Sequence, residues 1–249
     1  MKHNILFFIV ILFVGQLHAQ IKTDSIPENP ETNIKLKSFI IPATLMTVGI
    51  IGLESHTLLD INDQLKDEVH EHIDKKLTID DFTQYTPVAL VYGLDAFGVK
   101  AKHNFKGRTK RILTAHAIMT TTVMILKSSS TVLRPDGSSY NSFPSGHTAT
   151  AFMSAEFLWQ EYKDKSVWYG VLGYSLAVTT GAFRVYNDRH WFNDVVMGAG
   201  IGMASTKIAY WLVPWIENKI FKKENHDQNA VILPYFGGDR LGLTAVLKF

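Results

Sequence analysis

The sequence predicts an all-α protein, a bundle of about five to six core helices followed by a short C-terminal β-hairpin. Hydrophobic residues make up 46% of the 249 residues and aromatic residues 12%, which is enough for a sizeable core within one domain. Apolar segments of helical length follow one another along the chain, with polar stretches between them. Strand character appears only in the last stretch, from residue 231 onward.

The N-terminus is predicted to be an export signal. A positive Lys2 precedes an apolar run over residues 5–14, and Ala19 is a small residue suited to cleavage. We therefore predict a signal peptide over residues 1–19, followed by a polar linker over residues 20–36. An uncleaved membrane anchor is the alternative, but the apolar run is short for a spanning helix, which needs about 20 residues.

The main domain is predicted to cover residues 37–225. Its predicted helices, in chain order, are 39–53, an amphipathic 54–82, 87–99, 112–126, 147–162, 167–183 and 191–215. Three glycines in the last helix, Gly198, Gly200 and Gly202, permit close helix packing.

Two further segments are predicted from composition. The basic segment 100–111 is interpreted as a solvated loop, with contact to anionic lipid headgroups or a cytoplasmic position as the alternative. The tail, residues 226–249, has Gly237 and Gly238 between two stretches of strand character, which is typical of a β-hairpin.

The composition excludes some kinds of site. The chain contains no cysteine, so a disulfide framework, a zinc–thiolate site and a cysteine nucleophile are all impossible. The formal net charge of +2 argues neither for nor against a nucleic-acid partner.

Three polar clusters lie between apolar segments within a stretch of 68 residues, at 127–135, 143–148 and 184–194. Lys127 can supply a point charge, while Arg134 and Arg184 carry planar guanidinium groups that can hold phosphate oxygens bidentately.

The second cluster lies directly before a predicted helix. Ser145 and Gly146 occupy that position, where free backbone N–H groups and the helix dipole favour an anion. An ordinary N-cap is the alternative role for Ser145.

Two histidines can supply the chemistry. His190 and Asp194 are four residues apart and share a face if they lie on one helix. The carboxylate would then fix the tautomer of the imidazole and leave its other nitrogen free to attack phosphorus. His147 could protonate the leaving group as a general acid. Taken singly, a surface pair and a satisfied buried histidine explain these residues as well; the three clusters together indicate a phosphate site with a histidine nucleophile.

The order and spacing of these residues resemble the type 2 phosphatidic acid phosphatase superfamily. Its first two motifs, Lys-x6-Arg-Pro and Pro-Ser-Gly-His, are matched in full at 127–135 and 144–147. Its third, Ser-Arg-x5-His-x3-Asp, is matched at 184–194, with Phe183 in place of the usual serine. This departure removes no catalytic group.

The resemblance implies a helical bundle of the phosphatase and haloperoxidase type and a metal-independent phosphohydrolase without a cofactor. His190 would attack phosphorus to form a phosphohistidine, Asp194 would orient it, and His147 would protonate the leaving group. The phosphate oxygens would be held by Lys127, Arg134, Ser145, Gly146 and Arg184. A vanadium-dependent haloperoxidase, which is similar in site design, and a non-catalytic phospholipid binder are the alternatives.

The implied substrate is a phosphorylated lipid or isoprenoid, because only eight residues, 136–143, separate the first two motifs. This gap resembles the lipid-phosphatase branch more than the soluble acid phosphatases, which remain an alternative. We expect a membrane partner, no nucleic acid, and a location in the inner membrane or periplasm with the site facing the periplasm. If segments 39–53, 87–99 and 112–126 all span, the site would face the cytoplasm instead. The sequence leaves the individual substrate and the oligomeric state open.

Overall fold

The computed structural model describes residues 36–72, 78–221, 230–237 and 240–247. The predicted signal peptide, and the linker up to residue 35, lie outside the described residues, and the predicted domain boundaries stay predictions. The described helices are α1 (Ile40–Ile51), α2 (His56–His72), α3 (Asp80–Thr83), α4 (Thr86–Ala96), α5 (Phe105–Ser129), α6 (Gly146–Tyr162), α7 (Trp168–Tyr186) and α8 (Phe192–Ile216). A 3-10 turn, Leu36–Phe39, precedes α1 and a π-helical turn, Glu217–Phe221, follows α8.

Helix α6 lies at the centre of the bundle, against α7 on one side and α8 on the other, and α8 also packs against α1 and α5. The core along α6 is almost completely shielded from solvent, with Met153, Phe157, Leu158 and Tyr162 all at most 2% exposed. The all-α prediction is therefore confirmed for the bundle.

The glycines of α8 bring its backbone close to α6 and α1. A Cβ atom added to Gly202 would lie only 2.2 Å from the carbonyl oxygen of Ala149, and one on Gly200 only 2.8 Å from that of Pro42. Any larger side chain would force the helices apart, so the close packing predicted from these glycines depends on the absence of a Cβ atom. This packing keeps the N-terminal ends of α6 and α8 side by side, since the Ser145 N–H donates to the Asp194 carbonyl oxygen at 3.0 Å.

Two predictions about the first half of the bundle were wrong in part. Segment 54–82 is not one helix, because α2 ends at His72 and the separate short α3 begins at Asp80. Segment 100–111 is not wholly a loop, because α5 begins at Phe105 and Asn104 caps it by accepting from the Gly107 N–H at 2.8 Å. Arg108, only 3% exposed, can be buried there because it donates to Asp95 at 2.8 Å.

Among the described residues, one continuous helix, Phe192–Lys219, has the length and apolarity needed to cross a membrane, and 61% of its apolar window is buried inside the protein. The pair Leu36–Ile51 and His56–Val69 meets the same requirement only if both halves are counted as one span with an 86° bend. Helix α4 has 11 residues, a length of about 17 Å that is too short for a bilayer core.

Two antiparallel strands, β1 (Ala230–Gly237) and β2 (Arg240–Leu247), end the described chain, with Ala230 opposite Leu247. The residues on either side of β1, 222–229 and 238–239, lie outside the described part. The C-terminal hairpin as a structural unit therefore stays a prediction.

Candidate phosphate-binding and catalytic site

The three polar clusters meet where the N-terminal ends of α6 and α8 adjoin the C-terminal ends of α5 and α7. Lys127 lies in the last turn of α5 and Arg184 in the last turn of α7. Ser145 is the N-cap of α6, and Asp194 lies in the first turn of α8. The packing of four helices thus brings residues that are distant in sequence to one end of the bundle.

His190 is buried, with 2% of its surface exposed, and its Nδ1 lies 3.5 Å from Oδ2 of Asp194. It lies in the loop before α8, which begins at Phe192, so His190 and Asp194 do not share a helix. The pair forms nevertheless, because the Asp194 side chain turns back over the start of its helix and accepts from the Trp191 N–H at 2.9 Å.

Ser142 is a further member of this group that the sequence did not identify. Its hydroxyl donates to Asp194 Oδ2 at 2.5 Å and lies 3.5 Å from His190 Nδ1. With Nδ1 facing Asp194 and Ser142, Nε2 is the nitrogen of His190 that is left for chemistry. Burial lowers the pKa of His190 to about 4, although the Asp194 carboxylate opposes this shift. The imidazole is therefore neutral and nucleophilic at ordinary pH.

Three cations lie near one another beside His190. Burial, and then the neighbouring Arg134, lowers the pKa of Lys127 to about 8. Burial also lowers the pKa of Arg134, with Arg184 and Arg189 acting in the same direction and Asp136 opposing. Mutual repulsion of this kind favours binding of an anion among these groups.

Both arginines also have an unused donor. The Nε atoms of Arg134 and Arg184 are buried and have no hydrogen-bond partner within the described residues. Buried donors in native proteins are normally paired, so these two atoms are suited to a bound oxyanion. Lys127 is half-buried and its Nζ donates to the Asn141 carbonyl oxygen at 2.5 Å.

Asp80 orients Arg184. The Asp80 carboxylate is 1% exposed, accepts from Arg184 Nη1 at 2.5 Å, and accepts from the Asn187 side-chain amide at 3.3 Å. A buried carboxylate with two donors fixes the guanidinium plane. Asp80 comes from α3, 104 positions earlier in the chain, and no motif marked it.

The N-terminus of α6 faces the same region. Ser145 is fully buried and its hydroxyl accepts from the Thr148 N–H at 3.4 Å, so it does act as an N-cap. The next residue, Gly146, has open space beside it, because an added Cβ would meet only Val123 at 3.8 Å. An anion at this point would meet the positive end of the α6 dipole.

His147 pairs with a second carboxylate that the sequence did not identify. Its Nε2 lies 2.9 Å from Oδ1 of Asp81, and its side chain is 34% exposed. Burial and then Arg184 lower the pKa of His147, while the hydrogen bond and charge of Asp81 oppose this.

Ligand atoms of Asp80, Asp81 and His147 lie within 4.8 Å of one another, which is close enough to hold a metal ion. However, Asp80 is already paired with Arg184 and Asp81 with His147. A metal cation would have to compete with the Arg184 guanidinium for the same carboxylate, so the ion pairs account for this cluster.

Comparison of the sequence with known proteins finds a family profile and a curated relative. The sequence profile of the PAP2 superfamily matches residues 113–218. The lipid A 1-phosphatase of Porphyromonas gingivalis is 35% identical over 176 residues, which cover 65% of this chain and 38% of that protein. The chain therefore spans well under half the length of this curated relative.

Two solved structures are also similar. The crystal structure of Aquifex aeolicus LpxE is 24% identical, with a TM-score of 0.47 over 60% of this chain and 94% of that one. The transmembrane PAP2-type phosphatidylglycerolphosphate phosphatase of Bacillus subtilis is 18% identical, with a TM-score of 0.47 over 72% of this chain and 97% of that one. By the profile match and the three motifs, residues 113–218 of this chain are similar to the PAP2 superfamily.

Proposed function

We propose that this protein is a metal-independent phosphatase that hydrolyses a phosphomonoester or diphosphate of a lipid or isoprenoid through a phosphohistidine. The observation that carries the proposal is the convergence of a neutral, buried His190 with three cations and a helix N-terminus. These groups match the needs of a phosphate: a nucleophile on one side and donors from several directions.

In the proposed first step, Nε2 of His190 forms a bond to phosphorus and the bond from phosphorus to the leaving oxygen breaks. His147 gives its proton to that oxygen, so the product leaves as an alcohol or phosphate. Asp194 balances the positive charge that develops on His190. In the second step a water molecule gives a proton to the now neutral His147 and attacks phosphorus, which releases His190 and inorganic phosphate.

The remaining residues of the site stabilise the transferring group. Lys127, Arg134 and Arg184 offset its negative charge, and Ser145 and Gly146 present the N-terminus of α6 to its oxygens. Asp80 keeps the Arg184 guanidinium in one orientation. None of these roles requires a metal ion.

A lipid is the favoured substrate class because the curated relative is named a lipid A 1-phosphatase. Many large apolar side chains of the bundle also face outward, including Leu113, Met124, Trp168 and Val178, each at least 59% exposed. Large apolar side chains exposed in this number are typical of a surface that contacts lipid. We therefore propose a membrane-associated protein, exported through its N-terminal signal, with the site on the periplasmic side.

Phosphate release from a panel of lipids tests this function. Purified protein in detergent is incubated with lipid A, phosphatidic acid, phosphatidylglycerol phosphate and an isoprenyl diphosphate, with and without EDTA. We expect release from at least one of them at the same rate in EDTA. Release that stops in EDTA and returns with a divalent cation would contradict the mechanism, and release from none would reject the function.

The pKa shifts predict an acid optimum for kcat/KM, which reports the pKa values of the free enzyme. His190 must be neutral to attack, so activity rises with pH through its pKa of about 4. His147 must be protonated to act as the acid, and its pKa lies below the usual 6.5, so activity falls as the pH rises through that value. We expect Asp81→Asn to move this alkaline limb to lower pH, because the carboxylate raises the pKa of His147.

The control is Asp67→Asn, which removes an exposed carboxylate on α2. Both variants are measured with the same substrate, so the substrate's own titration cancels in the comparison. An alkaline limb that stays in place in Asp81→Asn would show that His147 does not set it.

A further inference from the structure

A cavity of about 260 Å³ lies beside the loop that carries His190 and Trp191. It is bounded by Leu53 and Leu59 at the bend between α1 and α2, by Val132 and Leu133 in the loop after α5, and by Trp191 before α8. Its volume is slightly below the range of about 300–1,000 Å³ typical of small-molecule sites. The cavity therefore has room for a segment of a ligand.

The cavity shares part of its wall with a second opening that His190 lines. Asn62 and Trp191 line both this cavity and a narrow crevice that His190 also lines. The Trp191 indole is fixed in place, because its N–H donates to the Leu133 carbonyl oxygen at 2.7 Å. The cavity wall thus includes Trp191, which directly follows His190, and Leu133, which directly precedes Arg134.

The side-chain amides of the two asparagines in the cavity wall are already hydrogen-bonded to each other. Asn62 donates to Asn193 at 2.6 Å and accepts from the Phe192 N–H at 3.0 Å, and both asparagines are at most 5% exposed. The surface left for a ligand is mainly leucine, valine and tryptophan side chain. Such a surface gains from burying hydrocarbon and offers little to a polar group.

The charge distribution separates the two ends of a ligand. Of the residues that line the cavity, Asp63 is the charged one, and it is an exposed carboxylate. A phosphate would be repelled here and attracted to Lys127, Arg134 and Arg184 instead. An amphiphile would therefore be oriented with its phosphate at His190 and its hydrocarbon in the cavity.

We propose that this cavity is a subsite for a segment of the substrate's hydrocarbon chain next to the phosphate-bearing headgroup. The inference rests on the proposed phosphatase function and assigns the residues that would make the enzyme prefer chain-bearing substrates. Leu59 is the most suitable residue to change, because it lies on α2 outside the phosphate-binding and catalytic groups and is 38% exposed.

The test compares substrates that share a phosphomonoester and differ in chain length. The probes are para-nitrophenyl phosphate and dihexanoyl, didecanoyl and dipalmitoyl phosphatidic acid, the lipids being held at a fixed mole fraction in detergent micelles. In Leu59→Trp, which fills the cavity, we expect kcat/KM for dipalmitoyl phosphatidic acid to fall about tenfold, the loss expected when about two methylene groups are no longer buried. The value for para-nitrophenyl phosphate should stay within about twofold of wild type, since no chain is present.

The matched control is Leu113→Trp, which places the same side chain at a 65% exposed position on α5. It should keep the chain-length profile of the wild type. A Leu59→Trp profile identical to that of the wild type would overturn the subsite. If Leu59→Trp also loses activity on para-nitrophenyl phosphate, the deciding variant is Leu59→Ala, because it adds no bulk. A selective fall in kcat/KM for the chain-bearing substrates in Leu59→Ala supports the subsite. A chain-length profile that is unchanged or uniformly lower overturns it. Absence of phosphate release by the wild type from every probe would instead reject the proposed function.

Discussion

Replacing His190 with alanine should lower kcat by at least about 10⁴-fold, the scale seen when a nucleophile that works as part of a unit is removed. The imidazole is buried and neutral, with one nitrogen directed at Asp194 and Ser142. The other imidazole of the site, His147, is paired with Asp81 at 2.9 Å and is assigned the separate role of general acid. The rate is measured as released phosphate under single-turnover conditions, so that slow product release does not hide the loss.

The matched control is His116→Ala, since His116 is an exposed histidine on α5. It should retain the activity of the wild type. Thermal unfolding of both variants separates a chemical loss from a folding defect. A folded His190→Ala protein that keeps more than about a tenth of wild-type activity would contradict a role as nucleophile.

The second large effect is expected for Asp194→Asn, which should lower kcat by about 10³- to 10⁴-fold. Oδ2 of Asp194 accepts from Ser142 at 2.5 Å and from the Trp191 N–H at 2.9 Å, while Oδ1 is buried without a partner in the described residues. An asparagine can place its oxygen at the Oδ2 position and its amide nitrogen at the Oδ1 position. The geometry is then kept, and the change removes the negative charge that balances the developing charge on His190.

Glu217→Gln serves as the control, because it neutralises a partly exposed carboxylate that follows the other end of α8. It should be close to wild type in rate. Asp194→Asn should bind phosphate or a non-hydrolysed substrate analogue as tightly as the wild type does, because Lys127, Arg134 and Arg184 are intact. Weaker binding with an unchanged kcat would assign Asp194 to phosphate binding and not to the chemistry.

The sequence predicted the bundle well where packing repeats along a helix. Helices α6, α7 and α8 begin and end within a few residues of their predicted limits, because long apolar segments end at polar turns. Segment 100–111 was predicted poorly, because a basic stretch resembles a loop unless its partner is known. The burial of Arg108 depends on Asp95, which lies on another helix.

The candidate site was likewise predicted well in some residues and poorly in others. The residues marked by motifs, from Lys127 to Asp194, come together at one end of the bundle, while their individual roles remain predictions. Asp80, Asp81 and Ser142 were missed, because each acts through a single long-range contact that no spacing reveals: Asp80 on Arg184, Asp81 on His147 and Ser142 on Asp194. The only sequence signal for Asp80 and Asp81 was that two acidic residues stand side by side before Phe82. An acidic pair at the start of a helix is common.

The central claim, that the phosphoryl group passes through His190, can be tested by trapping it. The protein is mixed with a radiolabelled phosphorylated lipid, quenched within the first turnovers at alkaline pH, where a phosphohistidine survives, and digested for mass spectrometry. The account predicts a phosphoryl group on His190 in the wild type and none in His190→Ala. Label on another residue, or full turnover in protein that never carries label, would contradict it.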